Sequence, residues 1–154
     1  MIMAVVRKAT LDDVEQIYTL IDRYARRGIM LPRSRELLTR VIDTFTVAEE
    51  DGSVIGIGSL CVLGKELVEI RSLGIDEQYK GRGIGSRIVE MLVQEAREMN
   101  MRQVMALTYE VRFFEKNGFR VVDKEIFPEK VWTDCVNCKK RHCCDEIAVL
   151  KTLD

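Results

Sequence analysis

A single histidine, His142, stands among 154 residues. It lies in a polar stretch far along the chain from any candidate serine, so Ser–His–Asp and Cys–His nucleophilic catalysis have no visible apparatus. There is no excess charge of one sign. A formal net charge of −1 gives no basic footprint and argues against nucleic acid as a partner. Hydrophobic residues make up 47% of the chain, yet no run reaches the roughly 18 uninterrupted apolar positions of a membrane span. Met1 to Val6 lead directly into a short strand, without a basic leader or cleavage site, so the expected location is the cytoplasm. The five cysteines are then thiols or metal ligands before they are disulfides. Repeats, low-complexity tracts and linkers are missing too. The expectation is one domain, 1–154, large enough to bury a core of its own, with a Cys-rich loop at 133–145.

What is present is organised around Leu67 to Met99. Leu67 to Ile75 reads as a buried strand bounded by turn signals. Then comes Gln78-Tyr79-Lys80-Gly81-Arg82-Gly83-Ile84-Gly85, followed at once by Ile88, Val89, Met91, Leu92, Val93 and Ala96 at helical spacing. Strand, glycine loop and helix form a layout for binding phosphate. Glycines let backbone N–H groups approach an anion, and the positive end of the helix dipole faces it. Lys80 and Arg82 add charge at the mouth. A nucleotide P-loop would need a Lys-Ser/Thr pair after its last glycine, but Gly85 precedes Ser86-Arg87. A dinucleotide fingerprint would need glycine where Ser86 stands. A plain glycine turn capping a helix is the alternative account.

Along the chain, Met3 to Arg7 is the first expected strand. Thr10 with Asp13 is an acidic variant of the capping box, opening a helix whose apolar face is Val14, Ile17, Tyr18, Ile21, Tyr24 and Ala25. Arg26-Arg27-Gly28 ends it, and Leu31-Pro32 breaks the connection. Ser34 caps a second helix with Leu37, Leu38, Val41 and Ile42 inward. Strands at Phe45 to Glu49 and Val54 to Leu63 flank Asp51-Gly52, a strong hairpin signal. Cys61 is expected in the core. Gln103 to Thr108 is a further strand, and Val111 to Asn117 a short helix stopped by Gly118. Phe119 to Ile126 and Glu146 to Leu153 are expected as the last two strands.

Gln78-x-x-Gly81-x-Gly83 resembles the acetyl-CoA loop of the GNAT superfamily of N-acetyltransferases, Gln/Arg-x-x-Gly-x-Gly/Ala, and Leu73-Gly74-Ile75-Asp76 is similar to that family's strand end. Phe113-Phe114-Glu115-Lys116-Asn117-Gly118-Phe119 resembles its Phe-Tyr-Glu-Lys-x-Gly-Phe helix along the pantetheine arm. The resemblance implies an α/β GNAT fold: a mixed, mostly antiparallel central sheet flanked by helices, with acetyl-CoA in the splay between central strands. It implies cofactor contacts from Leu73, Gly74, Ile75, Gln78, Gly81, Arg82, Gly83, Ile84, Gly85, Ser86, Phe113 and Phe114. The chain departs from the pattern at Phe114, which lacks the hydroxyl that protonates the departing thiolate in many members. Tyr109 is the nearest substitute; Thr108 and water are others.

The reaction so implied moves an acyl group from a thioester to an amine. An ammonium, with a pKa near 10 for lysine and about 8 for an α-amine, must first lose a proton. A carboxylate in reach can take it. Glu69, four residues before Leu73, stands where several GNAT enzymes carry a Glu base; a salt-bridged strand Glu is the alternative. Backbone N–H groups around Leu73 to Ile75, aimed by a bulge, would stabilise the developing oxyanion.

Leu31-Pro32-Arg33-Ser34, Glu69 to Leu73, Leu107-Thr108 and Phe127 to Trp132 together resemble short amino-acid N-acetyltransferases of the N-acetylglutamate synthase type, used in arginine biosynthesis. An amino-acid acceptor, glutamate above all, calls for groups that capture carboxylates. Arg71, Arg33 with Ser34, and Lys130 are the candidates. Acceptors of other kinds are a protein N-terminus, a lysine or another small amine. Beyond catalysis stands a non-catalytic acyl-CoA-binding or metal/redox-sensing module. Cys135, Cys138, Cys143 and Cys144 have the ingredients of a zinc site at poor spacing; a redox-labile or loop-packing cluster is the other account. A homodimer is left open.

Overall fold

The computed structural model describes residues 4–127 and 146–153. Seven strands and four helices alternate: β1 (Val5–Lys8), α1 (Val14–Ala25), α2 (Arg35–Arg40), β2 (Phe45–Glu50), β3 (Ser53–Val62), β4 (Leu67–Ile75), α3 (Ile84–Glu98), β5 (Gln103–Thr108), α4 (Val111–Lys116), β6 (Arg120–Val122) and β7 (Ile147–Thr152). The strands form one mixed sheet in the order β1-β2-β3-β4-β5-β7-β6. Most of its pairs are antiparallel, whereas β4 and β5 run parallel through Leu67↔Gln103, Val68↔Val104 and Glu69↔Met105. Beyond that register β4 continues to Ile75 and β5 to Thr108. Among the described residues no helix is long and apolar enough to cross a membrane.

The chain forms two compact units, Met1–Cys61 with Ile70–Gln94 and Val62–Glu69 with Glu95–Asp154. In the first, α1 buries Val14, Ile17, Leu20, Ile21 and Tyr24 against Leu38, Phe45, Val47 and Ile57. Its expected face is thus correct except that Leu20 belongs to it and Ala25 is only half-buried, while Tyr18 sits at its margin under the Arg35 guanidinium, 4.0 Å from the ring centre. The β2–β3 hairpin closes through Asp51 (φ 51) and Gly52 (φ 81), both in the left-handed region that a two-residue I′ turn requires. On β3, Gly56 and Gly58 share one face. A Cβ at Gly56 would lie 2.9 Å from both Ile75 and Ile88, so bare backbone here is what lets α3 rest on the sheet.

Arg7 on β1 holds this unit's other end. Its guanidinium donates to both Asp13 oxygens, at 2.8 and 2.9 Å, and to Glu49 at 2.6 and 2.9 Å. The Thr10 N–H donates to Asp13 Oδ2 at 2.7 Å, which is the Asp13 half of the expected capping box, although the first turn (Leu11–Asp13) is 3-10 rather than α. Asp13 is 4% exposed. The Arg7 hydrogen bonds hold its carboxyl below the usual Asp range. Because the folded value is depressed, this carboxylate's stabilisation is full above an unfolded pKa of about 3.9, declines below it, and is gone once pH has fallen through the folded value. Asp13→Asn should therefore cost about 2 kcal/mol near neutral pH, seen as a lower Tm. Melting curves from pH 7 down to 3 should show the gap to wild type steady at first and closing at the acid end. A gap that widened on acidification would contradict the assignment.

In the second unit, Met105, Phe127, Ala148 and Leu150 form a core with Leu63, Leu67, Leu107 and Val122 around it. β6 is shorter than the expected Phe119–Ile126 strand. The Asp123 carboxylate accepts from the Glu125 N–H at 2.9 Å and starts a 3-10 turn, Lys124–Ile126, which ends the strand at Val122. Cys61 is half-buried rather than core, because the buried run of β3 stops at Leu60.

Candidate functional site

β4 from Ile70 onward, the turn after it and the start of α3 are continuous in the first unit. Asp76 accepts from the Gln78 N–H at 3.0 Å and opens a 3-10 turn, Glu77–Tyr79. Gly81 (φ 82) and Gly83 (φ 78) then take left-handed conformations, which glycine adopts without steric penalty. A Cβ built on either glycine would meet nothing within 4 Å; space, not packing, surrounds this backbone. The Arg87 N–H bonds to the Gly83 carbonyl at 3.2 Å, so α3 begins there. The N–H groups of its first turn, Ile84 and Gly85 among them, have no partner within the helix and sit at the dipole's positive end. Arg82 lies 4.9 Å from the Tyr79 ring centre and 3.7 Å from Glu50. Lys80 stands 3.7 Å from Glu77. The carboxyl of Glu77 is held below its usual range first by the Arg27 hydrogen bond and then by the Lys80 charge. Open backbone at two glycines, a helix start and two nearby cations together suit phosphate oxygens.

The strand that feeds this loop is irregular. Ser59 Oγ on β3 donates to the Arg71 carbonyl at 3.1 Å, while the Asp76 N–H donates to the Ile55 carbonyl, also on β3, at 2.7 Å. Two residues an odd number apart thus address the same neighbour, which an evenly alternating strand does not allow. Ser72, with φ 52, is where the alternation slips, as in a bulge whose first residue is left-handed. Downstream, Leu73 and Ile75 side chains crowd Gly58 and Gly56 on the α3 side, whereas Gly74 packs against Met30 and Tyr24. The slip puts Arg71 on Gly74's face of the strand. It also turns the backbone N–H groups of Leu73 and Ile75 away from β3. The expected bulge is present, centred one residue before Leu73.

Arg33 and Ser34 stand at the start of α2, where Ser34 Oγ accepts from the Leu37 N–H at 3.1 Å. Glu69, Tyr109, Phe113 and Phe114 belong to the second unit. Glu69 is 7% exposed on β4, and Tyr109 is 39% exposed just after β5. Beside it, Thr108 Oγ1 accepts from the Glu110 N–H at 2.7 Å. Phe114 is buried at the centre of an aromatic trio, with ring centres 5.2 Å from Phe113 and 5.1 Å from Phe119, both edge-on. The Asn117 carbonyl at the end of α4 accepts from Lys151 at 2.9 Å. Lys130 and the cysteines 135, 138, 143 and 144 lie outside the described residues. Among the described residues no three His, Cys, Asp or Glu side chains stand close enough together to hold a metal ion. Sequence reasoning missed Ser59, Ser72 and the Tyr24 hydroxyl, which donates to the Ile75 carbonyl.

The Acetyltransferase (GNAT) family model matches residues 11–119. An uncharacterized N-acetyltransferase of Chlorobaculum tepidum is 42% identical over 148 residues, spanning 96% of each chain. A Mycobacterium tuberculosis protein named amino-acid acetyltransferase is 38% identical, over 81% of this chain and 76% of its own. A Salmonella typhi amino-acid acetyltransferase is 32% identical, but this chain spans only 28% of its length. Among solved structures, N-acetylglutamate synthase of Neisseria gonorrhoeae, in complex with coenzyme A and N-acetyl-glutamate, superposes with a TM-score of 0.88 at 25% identity, over 99% of this chain and 35% of that one. A Mycobacterium tuberculosis protein in complex with CoA superposes with a TM-score of 0.84 at 32% identity, over 97% of this chain and 99% of the other. With the mixed seven-stranded sheet and the glycine loop at the head of α3, these likenesses agree: the chain belongs to the GNAT family of acetyltransferases.

Proposed function

We propose that this GNAT acetyltransferase moves the acetyl group of acetyl-CoA to the α-amine of an amino acid, glutamate being the favoured acceptor, as arginine biosynthesis would require. The observation that carries the amino-acid part is the likeness to the Mycobacterium tuberculosis amino-acid acetyltransferase, which spans most of both chains. The Neisseria gonorrhoeae complex with N-acetyl-glutamate supports glutamate in particular.

The cofactor fits the loop on structural grounds: left-handed glycines with open space above them, a helix start, and Lys80 and Arg82 alongside. Gln78 and Gly81 to Ser86 would hold its phosphates, Leu73 to Ile75 its acyl end, and Phe113 and Phe114 its arm. When bound, acetyl-CoA supplies an activated thioester carbonyl. Glu69 takes the proton that the acceptor ammonium must lose, directly or through water. The N–H groups of Leu73 and Ile75 stabilise negative charge developing on the acyl oxygen. Tyr109 supplies the proton that Phe114 cannot. Arg71, on the strand face it shares with Glu69, pairs with an acceptor carboxylate; Arg33 with Ser34 and Lys130 are further candidates.

Thiol release measured over a panel of amines tests this reading. Glutamate or glutamine should show a higher kcat/KM than lysine, polyamines or peptide N-termini. Arg71→Ala should raise KM for the amino acid by about tenfold or more, the worth of a charge-assisted hydrogen bond, with little change in KM for acetyl-CoA. A wild-type preference for a polyamine or an uncharged amine would rule out the amino-acid reading.

A further inference from the structure

Tyr24 closes α1 with its ring 5% exposed, and three parts of the site meet on it. Its hydroxyl donates to the Ile75 carbonyl. A Cβ on Gly74 would stand 3.3 Å from the ring edge and 3.1 Å from the Met30 methyl, so Tyr24 and Met30 together leave room for little more than glycine. Over its face lie the Lys80 ammonium, 5.4 Å from the centroid, and the Arg27 guanidinium, 5.8 Å away. Cations over a ring are attracted to its negative face, so Lys80 and Arg27 help to hold the ring in place. The peptide joining Ile75 to Asp76 is consequently pinned at both ends. Its oxygen is held by Tyr24, and its N–H by the Ile55 carbonyl at 2.7 Å. That peptide ends the strand whose N–H groups are proposed to stabilise the acyl oxygen and begins the turn leading into the glycine loop.

We infer that Tyr24 is a positioning residue for acyl transfer, setting the peptide planes at the end of β4 and, through Lys80, the adjoining phosphate loop. The inference rests on the acetyl-transfer reading, and deepens it. Acyl-oxygen donors act only when held in place, and a small misplacement is enough to cost an order of magnitude in rate. A residue that merely filled the core would be replaced without loss by phenylalanine, which keeps the ring and its packing.

Tyr24→Phe separates the two roles. Expected are a kcat lowered about tenfold, a KM for acetyl-CoA changed by much less, and a Tm close to wild type. Independently of catalysis, amide hydrogen exchange at Asp76 should become several-fold faster, since its peptide loses one of two restraints. Unchanged Asp76 exchange would overturn the clamp, and faster exchange with wild-type kcat would overturn its role in positioning. Wild-type protein that released no thiol with any amine would refute acetyl transfer, and with it the catalytic role; the exchange data would then show whether the clamp exists.

Discussion

Gly83→Asp should sharply weaken acetyl-CoA binding while leaving the protein folded. The side chain would project into open space, so no packing contact opposes it, and the penalty to folding is that of a left-handed non-glycine residue, roughly 1–2 kcal/mol. Binding is another matter. A carboxylate would stand where phosphate oxygens meet backbone N–H groups, and each charge-assisted hydrogen bond lost is worth about 1.5–3 kcal/mol. Affinity should fall by about a hundredfold or more. Calorimetry with CoA reads this directly, and Gly83→Ala is the control, carrying the backbone strain without the charge. An Asp variant that bound CoA as tightly as wild type would remove the phosphates from this loop.

Glu69→Gln should lower kcat by about 10²–10⁴, the range for loss of a general base. Glutamine keeps the size of a buried side chain but cannot accept a proton from an ammonium. The deficit should shrink as pH rises toward the acceptor amine's pKa, about 8 for an α-amine, because free amine then arrives without help. A pH–rate profile of the two proteins measures both effects. Wild-type rate at neutral pH in the variant would leave Glu69 as a structural residue of β4.

Features set by residues close together in the chain are legible in the sequence itself. Asp51-Gly52 announces its hairpin because few other pairs occupy two successive left-handed positions. Gly81 and Gly83 mark the anion loop for a related reason, and Ser34 its helix start. The Asp123 turn is also readable: aspartate accepting from a backbone N–H two residues on is a common way to end extended chain. The expected strand overruns it because apolar residues stand on both sides of it, Val121 and Val122 before and Ile126 after. What depends on distant partners is not legible. Tyr24 shows as one apolar position on a helix face, and nothing nearby signals a hydroxyl bond to a carbonyl 51 residues away. Arg7 likewise gives no hint that it joins Asp13 to Glu49, which is 42 residues off. Ser72 is the hardest case, for serine has no strong preference for positive φ. Its conformation comes from the β3 contacts on either side of it.

That one left-handed serine gives β4 two phases. Upstream of it, counting by twos leads to one side of the sheet; downstream, the same count leads to the other. Arg71 and Leu73 are separated by an interval that would stack them together in plain strand, yet they point apart, one with Gly74 and the other toward α3. The polar side chain proposed to meet an acceptor and the apolar one that seats a helix are thereby drawn from consecutive odd positions without competing for room. It also makes β4 unusually intolerant of changes in length. An inserted or deleted residue in a surface turn shifts only the turn, whereas one at Ser72 would cancel the phase change and send Arg71 into the α3 interface.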